Sequence, residues 1–196
     1  MNFQRLTPYL HVRQLTRANF KQTCGGTVGM HIAISILTII ASMKWGKWRS
    51  WREYHPSMLF IAAGGLLYEY IVQENTLWKF HPDIIYGHEM VVIVYAVITM
   101  PISIFLFLSH FPQKWVLRVI YIVVWSVIYI SVEWVLLIFE RISYQNGWSL
   151  LFSFLFDLLM FSVIALHHVK PIQSYIISVF IIIFLIKYFH VPFKFV

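Results

Sequence analysis

The chain has 196 residues, of which 60% are hydrophobic and only 12% charged, with a formal net charge of +7 and a mean hydropathy of +0.73. A soluble domain runs nearer to about 45–50% apolar and about 25% charged, so this composition leaves no room for a folded soluble domain. In so apolar a chain the basic excess reads as contact with anionic lipid headgroups, and a nucleic-acid partner is excluded. The single cysteine, Cys24, excludes an intrachain disulfide and any cysteine-based metal cluster.

Residues 1–26 are polar and basic, with Arg5, Arg13, Arg17 and Lys21, and end at Gly25-Gly26. This tail suits a short interfacial helix or an unstructured arm. No apolar run precedes Cys24, which argues against a lipoprotein signal and a cleaved leader. Residues 27–196 then read as one domain. Its six apolar segments lie near 27–43, 57–73, 89–109, 115–139, 149–168 and 172–189. The expected fold is therefore all-α, a polytopic transmembrane helical bundle of about six membrane segments in a cell membrane.

The fourth segment is the strongest. Trp115 to Phe139 carries only Arg118 and Glu133 as charges, and as a helix it is roughly 37 Å long, against a hydrocarbon core of about 30 Å. The first two segments are short for a full span. Pro56, Pro82, Pro112 and Pro171 are expected in connections, and Pro101 should kink the third segment. Ala62-Ala63-Gly64-Gly65 allows close helix approach. Trp45, Trp48, Trp51 and Trp115 mark one interface, end A, and Trp78 and Trp148 the other, end B. Beyond the tail, end A has Lys44, Lys47, Arg49, Arg52, Lys114, Arg118 and Lys170, whereas end B has only Lys79, Arg141, Lys187 and Lys194. That places end A in the cytoplasm. The basic tail, which six spans put at end B, pulls the other way. A first segment lying on the membrane surface would remove the conflict.

Five segments carry polar residues at helical spacing: His31, Ser35, Thr38 and Ser42; Ala62, Gly65, Glu69 and Gln73; His88, Tyr95, Thr99, Ser103 and His110; Ser126, Tyr129, Glu133 and Glu140; Ser149, Ser153, Asp157 and His168. Val179 to Ile186 is apolar all round and should face lipid. Hydroxyl stripes alone are explained by helix–helix contacts. The carboxylates are harder to dismiss, because no Lys or Arg lies at the depth of Glu69, Glu133 or Asp157. A proton, a histidine partner such as His31, or a cation must then compensate them. Glu69 falls roughly 20 Å from end A and Glu133 roughly 27 Å, while Asp157 is roughly 12 Å from end B. With His31, His88 and Glu89 starting their spans at end B, these residues predict an acidic vestibule open to that end. The plain alternative is a carboxyl that only locks the bundle.

His88-Glu89 lacks the second histidine of a zinc-protease helix, since position 92 is Val. His81-Pro82-Asp83 matches a cochaperone tripeptide without the basic hairpin around it. His81, His88 and His190 offer imidazoles for a divalent metal at end B, at spacings that specify no site. The stretches WGKWRSWREYHPSMLF (45–60), LWKFHPD (77–83), LSHFP (108–112), Glu133-Trp134, NGW (146–148), LHHVKP (166–171) and FHVP (189–192) resemble a family of small multi-pass membrane proteins of spore-forming bacilli and clostridia. The resemblance implies a bacterial plasma-membrane bundle and supplies no activity. Three functions fit the sequence. One is binding or passing a cation, proton or small cationic solute. Another is an intramembrane enzyme, metal-dependent or not, acting on lipid or peptide. The last is an accessory subunit docking a membrane-protein partner or a second copy of the chain.

Overall fold

The structure, a computed structural model, describes residues 29–72, 77–81 and 87–190. The basic tail, Cys24, Gly25-Gly26, Gln73, Pro82 and Asp83 lie outside these residues, as does the side chain of His88. Six helices form the bundle: α1 (Met30–Trp45), α2 (Trp51–Val72), α3, α4 (Trp115–Ile138), α5 (Leu150–Val169) and α6 (Pro171–Tyr188). Helix α3 is continuous through three stretches, His88–Val94, a π-helical turn Tyr95–Thr99, and Met100–Ser109. Among the described residues four helices, α3 to α6, are long and apolar enough to cross a membrane. The chain is thus a helical membrane protein.

Local sequence explains the ends. Gly29, with φ 92°, opens α1, and the extended Gly46 closes it. A Cβ on Gly46 would strike both the Phe105 ring and the Ser42 carbonyl, so only glycine fits there. A single 3₁₀ turn, Trp48–Ser50, then leads directly into α2. Pro56, expected in the connection, lies inside α2 because that helix starts at Trp51. Its missing N–H falls in the second turn, near the bundle end, where water can satisfy the freed carbonyl. Pro101 offers no N–H to the carbonyl of Val97 and crowds it. The disturbance expected there takes the form of the π turn Tyr95–Thr99, which contains Val97.

The core lies between α2, α3 and α5. Ile104, Phe105 and Phe107 of α3 are fully buried against Phe161 and Ile164 of α5, with Tyr54 and Ile61 of α2 closing the third side. Lipid is as apolar as these side chains, so what holds the helices is close packing and hydrogen bonding more than expulsion from water. The Ser35 and Thr99 hydroxyls join α1 to α3 at 2.8 Å. Ser103 and Tyr129 join α3 to α4. Ser57 and His167 Nδ1 join α2 to α5 at 2.9 Å. Each such bond contributes about 0.6 to 2 kcal/mol. At the α2–α3 crossing a Cβ on Gly65 would stand 3.2 Å from Ala96 Cβ, the close approach that the small residues predict.

Helix α1 runs beside α3 from Tyr95, which meets His31, to Ser109, whose hydroxyl accepts from the Lys47 N–H. It therefore packs one face along α3 as a member of the bundle, an arrangement that does not favour the surface-lying first segment weighed against the charge conflict. His167, not His168, is the buried histidine of α5. The turn that carries the two histidines brings the first under Ser57 and Phe60 and leaves the second exposed at the bundle end.

End B carries a feature that no pattern in the sequence predicts. Residues Trp78–Phe80 (β1) and Ile142–Tyr144 (β2) pair antiparallel, with Lys79 opposite Ser143. The turn that follows β2 places Asn146 and Gly147 both at positive φ, 53° and 79°, with the Trp148 N–H donating to the Gln145 carbonyl. This is the turn that an Asn-Gly pair favours. It tucks Trp148 beneath the strands, 5.1 Å from the Trp78 ring, with Leu77 and Val72. Trp148, expected in an interfacial belt, is consequently buried, whereas Trp45, Trp48, Trp51 and Trp115 at end A are exposed.

Candidate functional site

Three placements separate the residues singled out from the sequence. Glu133 and Asp157 lie at the α4–α5 contact. Glu69 lines a cavity between α2 and α6. His31 and His81 belong to a hydrogen-bonded cluster around the strands.

The α4–α5 contact is the richest in chemistry. Glu133 stands five residues before the end of α4, and Asp157 seven residues after the start of α5. Antiparallel packing of the two helices therefore brings both carboxylates to about 7–11 Å from end B. The Ser153 hydroxyl, one turn before Asp157, donates to Glu133 Oε1 at 2.6 Å. The Tyr144 hydroxyl of β2 donates to the same oxygen at 2.8 Å. Ser153 Oγ in turn accepts from the Trp148 indole N–H at 2.8 Å. Glu133 is thereby fixed by two O–H donors, one from α5 and one from the small sheet. A carboxylate that accepts short O–H bonds is held more strongly than a neutral acceptor.

Asp157 is treated differently. It is 6% exposed, and its Oδ2 is buried with no hydrogen-bond partner. It lies within the field of Glu133 and of the Tyr129 and Tyr144 phenols. One carboxylate of the pair thus receives two donors on one oxygen, and the other has a buried oxygen that receives none. The Tyr144 phenol, outside the spans, is pushed above its ordinary range, first by burial and then by the Glu133 carboxylate it bonds.

His31 is buried, with Nδ1 3.2 Å from the Tyr95 hydroxyl and Nε2 3.1 Å from the His81 carbonyl. A neutral imidazole donating from Nε2 to the carbonyl and accepting the phenol proton at Nδ1 satisfies both contacts. His81 Nε2 meets Ser143 Oγ at 2.8 Å, so the same cluster ties β2 to α1 and the π turn. Glu89 is exposed in the first turn of α3, and His190 is exposed at positive φ just past α6. Among the described residues, no three His, Cys, Asp or Glu side chains converge as ligands for a metal ion. His81 and His190, weighed as metal ligands, stand apart from the carboxylate pair. Helix α2 begins five residues earlier than Pro56, so Glu69 lies three residues before its end and nearer end B than its distance from Pro56 implies.

Sequence reasoning missed Tyr144 as the partner of Glu133 and Trp148 as the partner of Ser153, because both lie in the connection after α4. The signal that could have found them is the Asn-Gly turn, which folds that connection back over α5. The fold and this site define a helical membrane protein with a buried Asp157 and a half-buried Glu133 at the contact of two of its apolar helices. No protein-family model, no curated protein and no solved structure matches the chain.

Proposed function

We propose that this protein is a multi-pass protein of a bacterial plasma membrane that binds a proton or a small cation at Glu133 and Asp157 and passes it toward end B. The multi-pass reading rests on six antiparallel helices in sequence, and the membrane assigned to it rests on the resemblance of its short Trp-, His- and Pro-containing stretches to the spore-former family. The observation that carries the functional reading is Asp157 Oδ2, a buried carboxylate oxygen with no donor upon it. An uncompensated carboxylate in an apolar bundle is expensive, so this position calls for a proton or a cation. Glu133, held by Ser153 and Tyr144 a short way off, supplies a second negative charge without being free to move. Such an asymmetric pair suits relay, because one member stays ordered while the other is loaded and unloaded. The basic surface of end A, with Lys44, Lys47, Arg49 and Arg52 beside exposed tryptophans, anchors that end among anionic headgroups.

The test is flux in proteoliposomes loaded with a pH-sensitive dye, driven by an acid pulse or by gradients of sodium, potassium or calcium. Asp157→Asn should abolish flux of whichever ion moves, and Glu133→Gln should lower it at least tenfold. Flux unaltered in both variants for every ion that the wild type carries would sink the reading, as would a wild type that carries none.

A further inference from the structure

Three hydroxyls stand around the turn of α5 that holds Asp157, and each has its hydrogen committed elsewhere. Ser153 and Tyr144 both donate to Glu133 Oε1. Tyr129, one turn before Glu133 on α4, has its ring 4.9 Å from Phe161, one turn after Asp157 on α5. Its hydroxyl meets Ser103 Oγ of α3, and the Ser103 hydrogen goes to the Met100 carbonyl at 2.7 Å. A serine has one hydrogen to give, so Tyr129 is the donor of that pair and Ser103 the acceptor. We propose, building on the reading of Glu133 and Asp157 as an ion site, that the ion is a proton, carried by Asp157 as a neutral carboxylic acid beside an ionised Glu133, and that Ser103 is the positioning residue that draws the Tyr129 hydrogen away from Asp157.

Three features favour a proton over a metal cation and Asp157 over Glu133. First, a proton needs one oxygen, and Asp157 Oδ2 is a buried oxygen with no donor upon it. A divalent cation stripped of water needs about six oxygens or more, and among the described residues no three His, Cys, Asp or Glu side chains converge on such an ion. Second, the Ser153 and Tyr144 hydrogens both point at Glu133 Oε1. Two O–H donors suit an ionised carboxylate, and a cation against that oxygen would face their hydrogens instead of lone pairs. Third, the titratable groups that bear on Asp157 among the described residues are Glu133 and Tyr129 of α4 and Tyr144 of β2, and none of these is basic. A buried charge without a hydrogen bond costs far more than a buried neutral carboxyl without one. The charge of Glu133 adds to that cost, so the Asp157 proton removes the larger penalty.

The experiment is infrared spectroscopy of the full-length protein in detergent, made by cell-free synthesis with aspartate isotopically labelled at the side-chain carboxyl. Asp83→Asn leaves Asp157 as the remaining aspartate of the chain, so every isotope-shifted carboxyl band belongs to it. At pH 7 the labelled band should be the C=O stretch of a neutral carboxylic acid, and it should give way to the carboxylate bands as pH rises. Sodium, potassium or calcium added at constant pH should leave it unchanged. Ser103→Ala frees the Tyr129 hydrogen to serve the carboxylate, so the band should be lost at least one pH unit lower. Should Ser103→Ala fail to fold, Glu133→Gln is read in its place. It keeps an acceptor for Ser153 and Tyr144 but removes the charge, and should shift the loss the same way. A labelled carboxyl that is ionised above about pH 5, as an ordinary aspartate is, overturns the proposal. So does a band that any of the three cations abolishes at constant pH, or a titration that the variant read leaves in place. A neutral Asp157 in a protein that carries no ion into proteoliposomes supports the proton and removes only the transport.

Discussion

Ser153 does two jobs with one hydroxyl: it accepts from the Trp148 indole and donates to Glu133. Replacing it with alanine leaves a buried N–H without its acceptor and removes one of the two donors on the carboxylate. Ser153→Ala should therefore cost about 1–3 kcal/mol. Denaturant unfolding in detergent, followed by tryptophan fluorescence, checks this, and an unchanged midpoint would show the network to be slack. Tyr144 gives a pH prediction. Its folded pKa lies above the unfolded value of about 10, so the stability it contributes is complete below pH about 10 and is lost as pH rises through the folded value. An alkaline titration at 295 nm should show no tyrosinate step near pH 10 that Tyr144→Phe removes; the presence of that step would contradict the burial of the phenol. Glu133 and Asp157 stand out in the sequence because no Lys or Arg shares their depth. Their joint placement with Ser153 and Tyr144 depends on how α4 crosses α5, and periodicity within one helix carries no information about that crossing. His167 and His168 illustrate the same limit, since adjacent residues differ by about 100° around a helix and only the packed neighbour decides which is buried.

At the scale of elements, the long apolar helices are legible because hydropathy and length dictate them. The small sheet is not, because β1 and β2 have three residues each and pair across more than sixty positions of chain. Such short strands have too few alternations to announce themselves, and the pairing is decided by what lies between them, the helix pair α3 and α4. The small-residue run of α2 is readable as a packing signal, but its two glycines serve different ends. Gly65 faces Ala96 at a distance that leaves no room for a larger side chain, while Gly64 faces open space. Gly65→Leu should drive α2 from α3 and destabilise the protein by about 1–3 kcal/mol. Gly64→Ala should be neutral or stabilise by up to about 1 kcal/mol through helix propensity. Thermal unfolding of the two variants side by side separates the roles. Equal losses in both would mean that the α2–α3 crossing is not set by Gly65.

For the molecule as a whole, the governing question is how many times the chain passes between the two ends. Helix α1 has 16 residues, about 24 Å, and on length alone falls short of a core of about 30 Å. Its contacts decide the matter of its direction. His31 at its start meets Tyr95 and His81 near end B, and the segment just beyond its end meets Phe105 and Ser109 near end A. It thus runs parallel to α3, and its buried serines face that helix along its length. A surface-lying helix would turn those serines to water and would leave Thr99 without the Ser35 hydroxyl. If α3 crosses the membrane, α1 beside it must sit at the same depth, and the mismatch of a few ångströms is met by local thinning of the bilayer around it. Both ends of the described chain lie at end B, and if α2 crosses as well the number of passes is even. In a Cys24→Ser background, single cysteines at Lys47 and Gln113, both exposed at end A, should react with an impermeant maleimide from one face of sealed vesicles. Gln145, exposed at end B, should react only from the opposite face. The positive-inside expectation from Lys44, Lys47, Arg49 and Arg52 puts end A in the cytoplasm, and on that expectation labelling at Lys47 should need inside-out vesicles. Reaction of Lys47 and Gln145 from the same face, with Gln113 on the other, would place α2 on the membrane surface instead of through it, and would leave the antiparallel α4–α5 contact that brings Glu133 to Asp157 as it is.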